Sequence, residues 1–290
     1  MRLRLNIHAE AFDIHCDPAR APRTLARLAA HLPMPLQLHT PKIAGSHIYW
    51  HAPFVEEPEG GVDVLAAPPG AFIYWPVRQF LEITFAPLQA ETASVTVLGH
   101  LDGPVARVTA LAEKLREQQG VTLFDGTLQI TDPGRVTPAP LPQWPTLPAA
   151  LIAANAALWQ GCPADIAALR GSRAIMHPAG PVFMAESEAR VLHETLWWLR
   201  ERLARDAEPH LRYAGALAAN KAATRLRDFC HLTQSAEALF LLETAFADPA
   251  APLAPLVDLG ITTAGRIAAW LDLQIPWNPM NEAFRTALAR

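Results

Sequence analysis

The chain has 290 residues, 51% of them apolar, and a formal net charge of −4. This length is a prior for two domains and leaves ample material for sizeable cores. The near-neutral balance argues against a general nucleic-acid binder, which carries a basic face, but leaves room for a small acidic ligand held by one or two cations.

The first 130 or so residues read as mixed α/β. RLRLNIH (2–8) and FDIHC (12–16) form a strand pair across a tight turn. Asp17 is expected to cap a helix running to about residue 31, with Pro18 in its first turn and Leu25, Leu28, Ala29 and Leu32 on its apolar face. Strands follow at 36–40, 46–52, 72–75, 80–85 and 94–101. A helix over 104–119 shows Val105, Val108, Leu111, Ala112 and Leu115 at helical spacing and stops at Gly120. VTLFDGTLQI (121–130) closes the unit. The proline-rich stretch 132–147 can continue neither a helix nor a central strand, and is read as a linker between domains at 1–131 and 148–290. The second domain has little strand alternation and reads as an all-α bundle, with helices over 148–160, 163–170, 186–207, 209–230, 234–247, 262–273 and 279–289. MHPAG (176–180) is a loop signal, and PAAPLAPL (249–256) a turn-rich connector. The fold class is therefore α+β.

Cys16, Cys162 and Cys230 form neither a CxxC pair nor a Cys/His ligand spacing, and read as reduced, buried thiols. No apolar run reaches the roughly 18 residues of a membrane span, and MRLRLNIHAEAF alternates like a strand rather than a signal peptide. A cytoplasmic protein with no membrane partner is expected. There is no phosphate-binding glycine loop, dinucleotide fingerprint, GxSxG or HExxH. Neither a cofactor nor a metal is called for.

The chemistry-bearing residues cluster in two places. In FLEITF (80–85), Leu81, Ile83 and Phe85 share one face, and Phe80, Glu82 and Thr84 the other. Glu82 thus lies opposite the core face beside an aromatic side chain, as in a small-molecule cleft. Arg78, with Gln79 next to it, is placed behind Pro76 as a fixed clamp for a carboxylate. Glu82 and Arg78 also read as an ordinary surface ion pair. The second cluster is HTPKIAGSHIYWH (39–51), where His47, Tyr49 and His51 alternate with Ser46, Ile48 and Trp50. Histidines four apart on a strand lie about 13 Å from each other, too far for one metal ion. His47, and His100 at the end of a strand, are candidate proton carriers. In the helical half, Trp197 and Trp198 read as core, and Lys221, Arg225 and Arg227 as a solvated face that could also dock the first domain or a partner subunit, so a homo-oligomer is open.

MRLRL, DPARAPRTLARLAAHLP, GSHIYW and PPGAFIYWPVRQFLEITF together resemble bacterial cyclophilin-like proteins over residues 1–130. The resemblance implies a closed or nearly closed β-barrel with flanking helices. His47 stands where the small single-domain members often carry Glu. A cyclophilin-like domain followed by a helical bundle is similar to the cucumopine synthases. That likeness implies a cofactor-independent Pictet–Spengler-type condensation of L-histidine with 2-oxoglutarate. In such a reaction Glu82, with His47 or His100, would serve as acid and base. Arg78, Lys42 and Gln79 would bind the acidic substrates, and Tyr74 and Trp50 would supply stacking walls. Two other readings stay open: another small-molecule enzyme or binding protein on the same fold, and a prolyl isomerase or scaffold.

Overall fold

The computed structural model describes residues 1–42, 45–87, 92–142, 144, 146–169, 171 and 179–289. In chain order it contains β1 (Arg2–Ile7), β2 (Glu10–Cys16), α1 (Pro22–Ala30), β3 (Met34–Gln37), β4 (His47–His51), β5 (Val62–Asp63), β6 (Ala71–Trp75), β7 (Phe80–Thr84), β8 (Ser94–Asp102), α2 (Val105–Gln118) and β9 (Asp125–Asp132). Helices α3 (Ala149–Gln160), α4 (Ala164–Leu169), α5 (Ala179–Arg202), α6 (Glu208–Asp228), α7 (Thr233–Ala247), α8 (Leu253–Asp272) and α9 (Trp277–Leu288) follow. The chain forms two compact units, Met1–Pro142 together with Pro276–Arg290, and Gln143–Ile275. Helix α9, which the sequence groups with the bundle, therefore belongs to the first unit. It packs on α2, where Asn278 Nδ2 donates to the Arg116 carbonyl at 3.4 Å.

The strands of the first unit pair antiparallel in the order β3-β9-β1-β2-β8-β6-β7-β4, with β5 on β8. The two ends of this path meet. His39, just beyond β3, exchanges backbone hydrogen bonds with Tyr49 of β4, at 2.8 and 3.1 Å. The sheet thereby becomes a nearly closed barrel and loses its exposed edges there. Alternation sends Leu3, Leu5, Ile14, Trp50, Phe72 and Leu81 into the interior. Helix α1 adds Leu25 and Leu28 to this core, and α2 adds Val108, Leu111 and Leu115. Each such side chain contributes about 1.5–3 kcal/mol on burial. Gly99 is required where β8 crosses β2, because a Cβ there would collide with the His15 carbonyl.

In the second unit α5 packs chiefly on α8, and α6 on α7. Helix α8 is buried along nearly its whole length. Asn155 of α3 reaches it by donating to the hydroxyls of Thr262 and Thr263, at 3.1 and 2.9 Å.

Three expectations are corrected. Helix α1 starts at Pro22, because Asp17 accepts from the Ala19 N–H in a separate turn. Helix α8 starts nine residues early, at Leu253, because Pro255 sits in its first turn, where a missing N–H costs nothing. Cys16 and Cys230 are buried free thiols, whereas Cys162 is half-buried. Residues 176–178 of MHPAG lie outside the described residues, and its last two residues begin α5.

Candidate active site

The outer face of β4 and β7 is built by register. His47 pairs with Thr84, Tyr49 with Glu82, and His51 with Phe80. On the other side of β7, Ile73 and Trp75 of β6 pair with Glu82 and Phe80. These alternate positions point away from the barrel interior, yet His47, Tyr49, His51, Trp75 and Glu82 are all buried. His39 stacks on Tyr49 with centroids 4.9 Å apart, and Tyr49 stacks on Phe80 at 4.0 Å. His51 meets the Phe80 ring edge-on at 5.0 Å. Glu82 therefore sits beside a three-ring stack.

Glu82 is completely buried, and neither carboxyl oxygen has a hydrogen-bond partner among the described residues. The His47 Nε2 lies 3.4 Å from Glu82 Oε2. Burial alone pushes the Glu82 carboxyl up from 4.5 to about 8. The His47 imidazole moves the other way, to about 3, first through burial and then through the positive charge of Arg116. Desolvation penalises both members of a charged pair, and among the described residues no donor compensates the carboxylate. The pair is therefore a neutral acid beside a neutral imidazole at physiological pH, with the proton on Glu82.

His47 is fixed from behind. Gly45, at φ 137°, lies so close that a Cβ would stand 2.7 Å from His47 Cε1. Arg116 of α2 donates from Nη2 to the Gly45 carbonyl at 3.3 Å. Among the described residues no three His, Cys, Asp or Glu side chains come together as a metal site.

The structure brings Glu82 and His47 together, and Glu82 makes no ion pair with Arg78. Arg78 is half-buried in the short 3-10 turn Pro76–Arg78 ahead of β7. Lys42 lies in the loop before β4, with its ammonium 5.1 Å from the centre of the Trp277 ring. Gln79 adopts a left-handed conformation (φ 58°), and its amide donates to the Ala52 carbonyl at 2.8 Å, closing the turn. Trp50 and Tyr74 are in the barrel interior, on the opposite side of the sheet from Glu82. Trp50 stacks on Phe72, and the Tyr74 hydroxyl accepts from the Glu56 N–H at 3.1 Å. His100 is exposed on β8 beside His15, their ring centroids 5.5 Å apart. Strands β6 and β7 separate it from His47, roughly 14 Å across the sheet. Besides His47, the rings on the Glu82 face are Tyr49, its cross-strand partner, and Phe80, two residues before it, which follow from alternation once the β4–β7 register is known. The approach of Arg116 to His47 had no signal in the sequence.

No protein-family model and no curated protein sequence matches the chain. Among solved structures, the fold is similar to that of McbB, determined in complex with tryptophan, with a TM-score of 0.73 and 14% identity over 97% of this chain and 99% of that chain. The chain thus has a McbB-like α+β fold, a nearly closed antiparallel barrel followed by helices. The hypothetical protein AF2241 from Archaeoglobus fulgidus matches 44% of this chain and 93% of its own, at 21% identity and a TM-score of 0.33. Among the described residues, no helix is long and apolar enough to cross a membrane.

Proposed function

We propose that the protein catalyses a cofactor-independent Pictet–Spengler-type condensation of an amino acid bearing a heteroaromatic ring with a 2-oxo acid, L-histidine and 2-oxoglutarate being the first pair to try. The observation that carries this reading is Glu82, a buried carboxyl that keeps its proton near neutral pH beside a wall of stacked rings. The McbB-like fold supports it, since McbB has been seen with tryptophan, an amino acid with an electron-rich ring.

The substrate amine adds to the keto carbon to give a carbinolamine. Glu82 gives its proton to the departing hydroxyl, water leaves, and an imine cation forms as the carboxylate appears. The two charges arise together, so the dry site is never left with one alone. The ring carbon then attacks the imine carbon, forming the new C–C bond. Glu82 takes the proton from that ring carbon and returns to its starting state. A carboxyl near pKa 8 suits both tasks better than one near 4.5. His47, held neutral, accepts or relays a proton at Nε2. Arg116, whose charge reaches His47, is one candidate to bind a substrate carboxylate, and Lys42 and Arg78, which precede β4 and β7 in the chain, are the others.

The test mixes purified protein, 2-oxoglutarate and either L-histidine or L-tryptophan, without cofactor, beside the Glu82→Gln variant. A product with the mass of both reactants less one water, above the uncatalysed background and absent with the variant, is expected. No product above background with either amino acid would overturn this assignment.

A further inference from the structure

His100, which the sequence marks as a proton carrier, lies away from the Glu82 face, and the barrel gives it a different partner. In the β2–β8 ladder it stands directly opposite His15. Such residues have Cα atoms about 4.5–5.5 Å apart and send their side chains to the same face. That face is the outside of the barrel. Both histidines are exposed there, while their chain neighbours Ile14, Cys16, Gly99 and Leu101 are buried. Gly99 brings the strands close at this level, since a Cβ on it would lie 2.1 Å from the His15 carbonyl oxygen. On the far side of His100 the opposing residue of β6 is Ala71, too short to reach between the rings. On the far side of His15 it is Arg2 of β1, whose guanidinium is held by Asp102 at 3.1 Å. Arg4 is likewise held by Asp13 at 2.7 Å. These four charges balance, so the two imidazoles do not stand beside an uncompensated cation.

We propose that His15 and His100 together bind one divalent transition-metal ion of the kind that prefers imidazole, Zn²⁺ or Cu²⁺. The ring separation carries the argument. Two imidazoles bound to one tetrahedral ion, each through a nitrogen at about 2.0–2.1 Å, hold their ring centres roughly 5 Å apart. The centres of His15 and His100 are 5.5 Å apart, with their planes inclined by 38°. A small turn of either exposed ring closes the difference. No third His, Cys, Asp or Glu joins the pair among the described residues, so water completes the coordination and the site stays open to solvent. Mg²⁺ and Ca²⁺ seek oxygen ligands and gain little from two imidazoles, whereas later first-row ions gain most, Cu²⁺ more than Zn²⁺. Histidines within one strand stand too far apart to share an ion. This pair is drawn from two strands 85 positions apart in sequence, and only the folded barrel brings it together. A bound ion would thus fasten β2 to β8 and would recognise the folded chain alone.

Calorimetric titration of the full chain with Zn²⁺ alone, near neutral pH, tests the site. Uptake of one equivalent is expected, with no competition from Mg²⁺. His15→Asn and His100→Asn should each weaken binding by about tenfold or more. Both positions are exposed, so the circular dichroism of the variants should match that of the wild type. Cu²⁺ added below one equivalent gives a second reading by electron paramagnetic resonance. Coupling to two nitrogens is expected in the wild type and to one in either variant. A wild type that takes up no Zn²⁺ at about 1 mM would overturn the proposal. So would uptake that both variants leave unchanged, which would put the ion on others of the chain's 11 histidines. A wild-type Cu²⁺ signal with a single nitrogen would overturn it as well.

Discussion

Strands β4 and β7 each carry two faces, and both faces are buried. Ile48, Trp50, Leu81 and Ile83 fill the barrel, and the one polar side-chain atom among these four is the buried Trp50 Nε1. His47, Tyr49, His51 and Glu82 leave the same strands on the other side, buried and titratable, beside the half-buried Phe80. The inner face gains stability from removing apolar area from water. The outer face loses some, because a carboxyl without a hydrogen-bond partner is left in a dry environment. An arrangement that costs stability and fixes a proton on a carboxyl is the ground on which we propose Glu82 for chemistry rather than packing.

Exchanging Glu82 for Gln tests the outer face most severely. The variant keeps the volume and removes the proton, so product formation should fall by about 10²–10⁴-fold while the fold persists. Trp50→Ala is the matching change on the inner face. It leaves a cavity and should cost about 3–5 kcal/mol in a urea titration. Equal loss of activity from both variants, with equal loss of stability, would erase the distinction between the faces.

The pH dependence of stability separates them further. The folded protein holds the Glu82 proton more tightly than the unfolded chain does. Its contribution is therefore fully present below about 4.5 and is lost as pH rises towards about 8. The slope is about 1.4 kcal/mol per pH unit for an ideal single site. Glu82→Gln removes this loss, so the variant's Tm should overtake that of the wild type increasingly from pH 5 to pH 8. A difference that stays constant over that range would mean that Glu82 is ionised throughout.

The face on which Glu82 stands was legible in FLEITF, because a strand's period of two leaves no freedom once Leu81 and Ile83 are assigned to the core. The strand-rich first half and the helical second half could be read from a change of hydrophobic period, whereas closure of the sheet into a barrel was implied only by the family resemblance. What could not be read depended on pairs distant in sequence. Tyr74 and Trp50 have the right rings for a binding wall, but only the β4–β7 and β6–β7 registers show that they face the barrel interior and that Tyr49 stands opposite Glu82. Arg116 reaches Gly45 across the fold from α2, and no local pattern encodes that approach. The start of α8 was hidden by Pro255, whose place in a first turn cannot be told from a loop proline without the tertiary packing that buries the helix.

Tyr74→Phe gives the smallest and most discriminating effect. The hydroxyl accepts the Glu56 N–H at 3.1 Å and lies 3.5 Å from the Phe54 carbonyl, so it ties the segment after β4 to the core. Its removal leaves the ring in place and should cost about 1 kcal/mol, the usual net value of such a bond. Activity should be unchanged, because the side chain is on the far side of the sheet from Glu82. A variant of normal stability with a raised KM for the amino acid would instead place Tyr74 against substrate, and the inner face would then belong to the site as well.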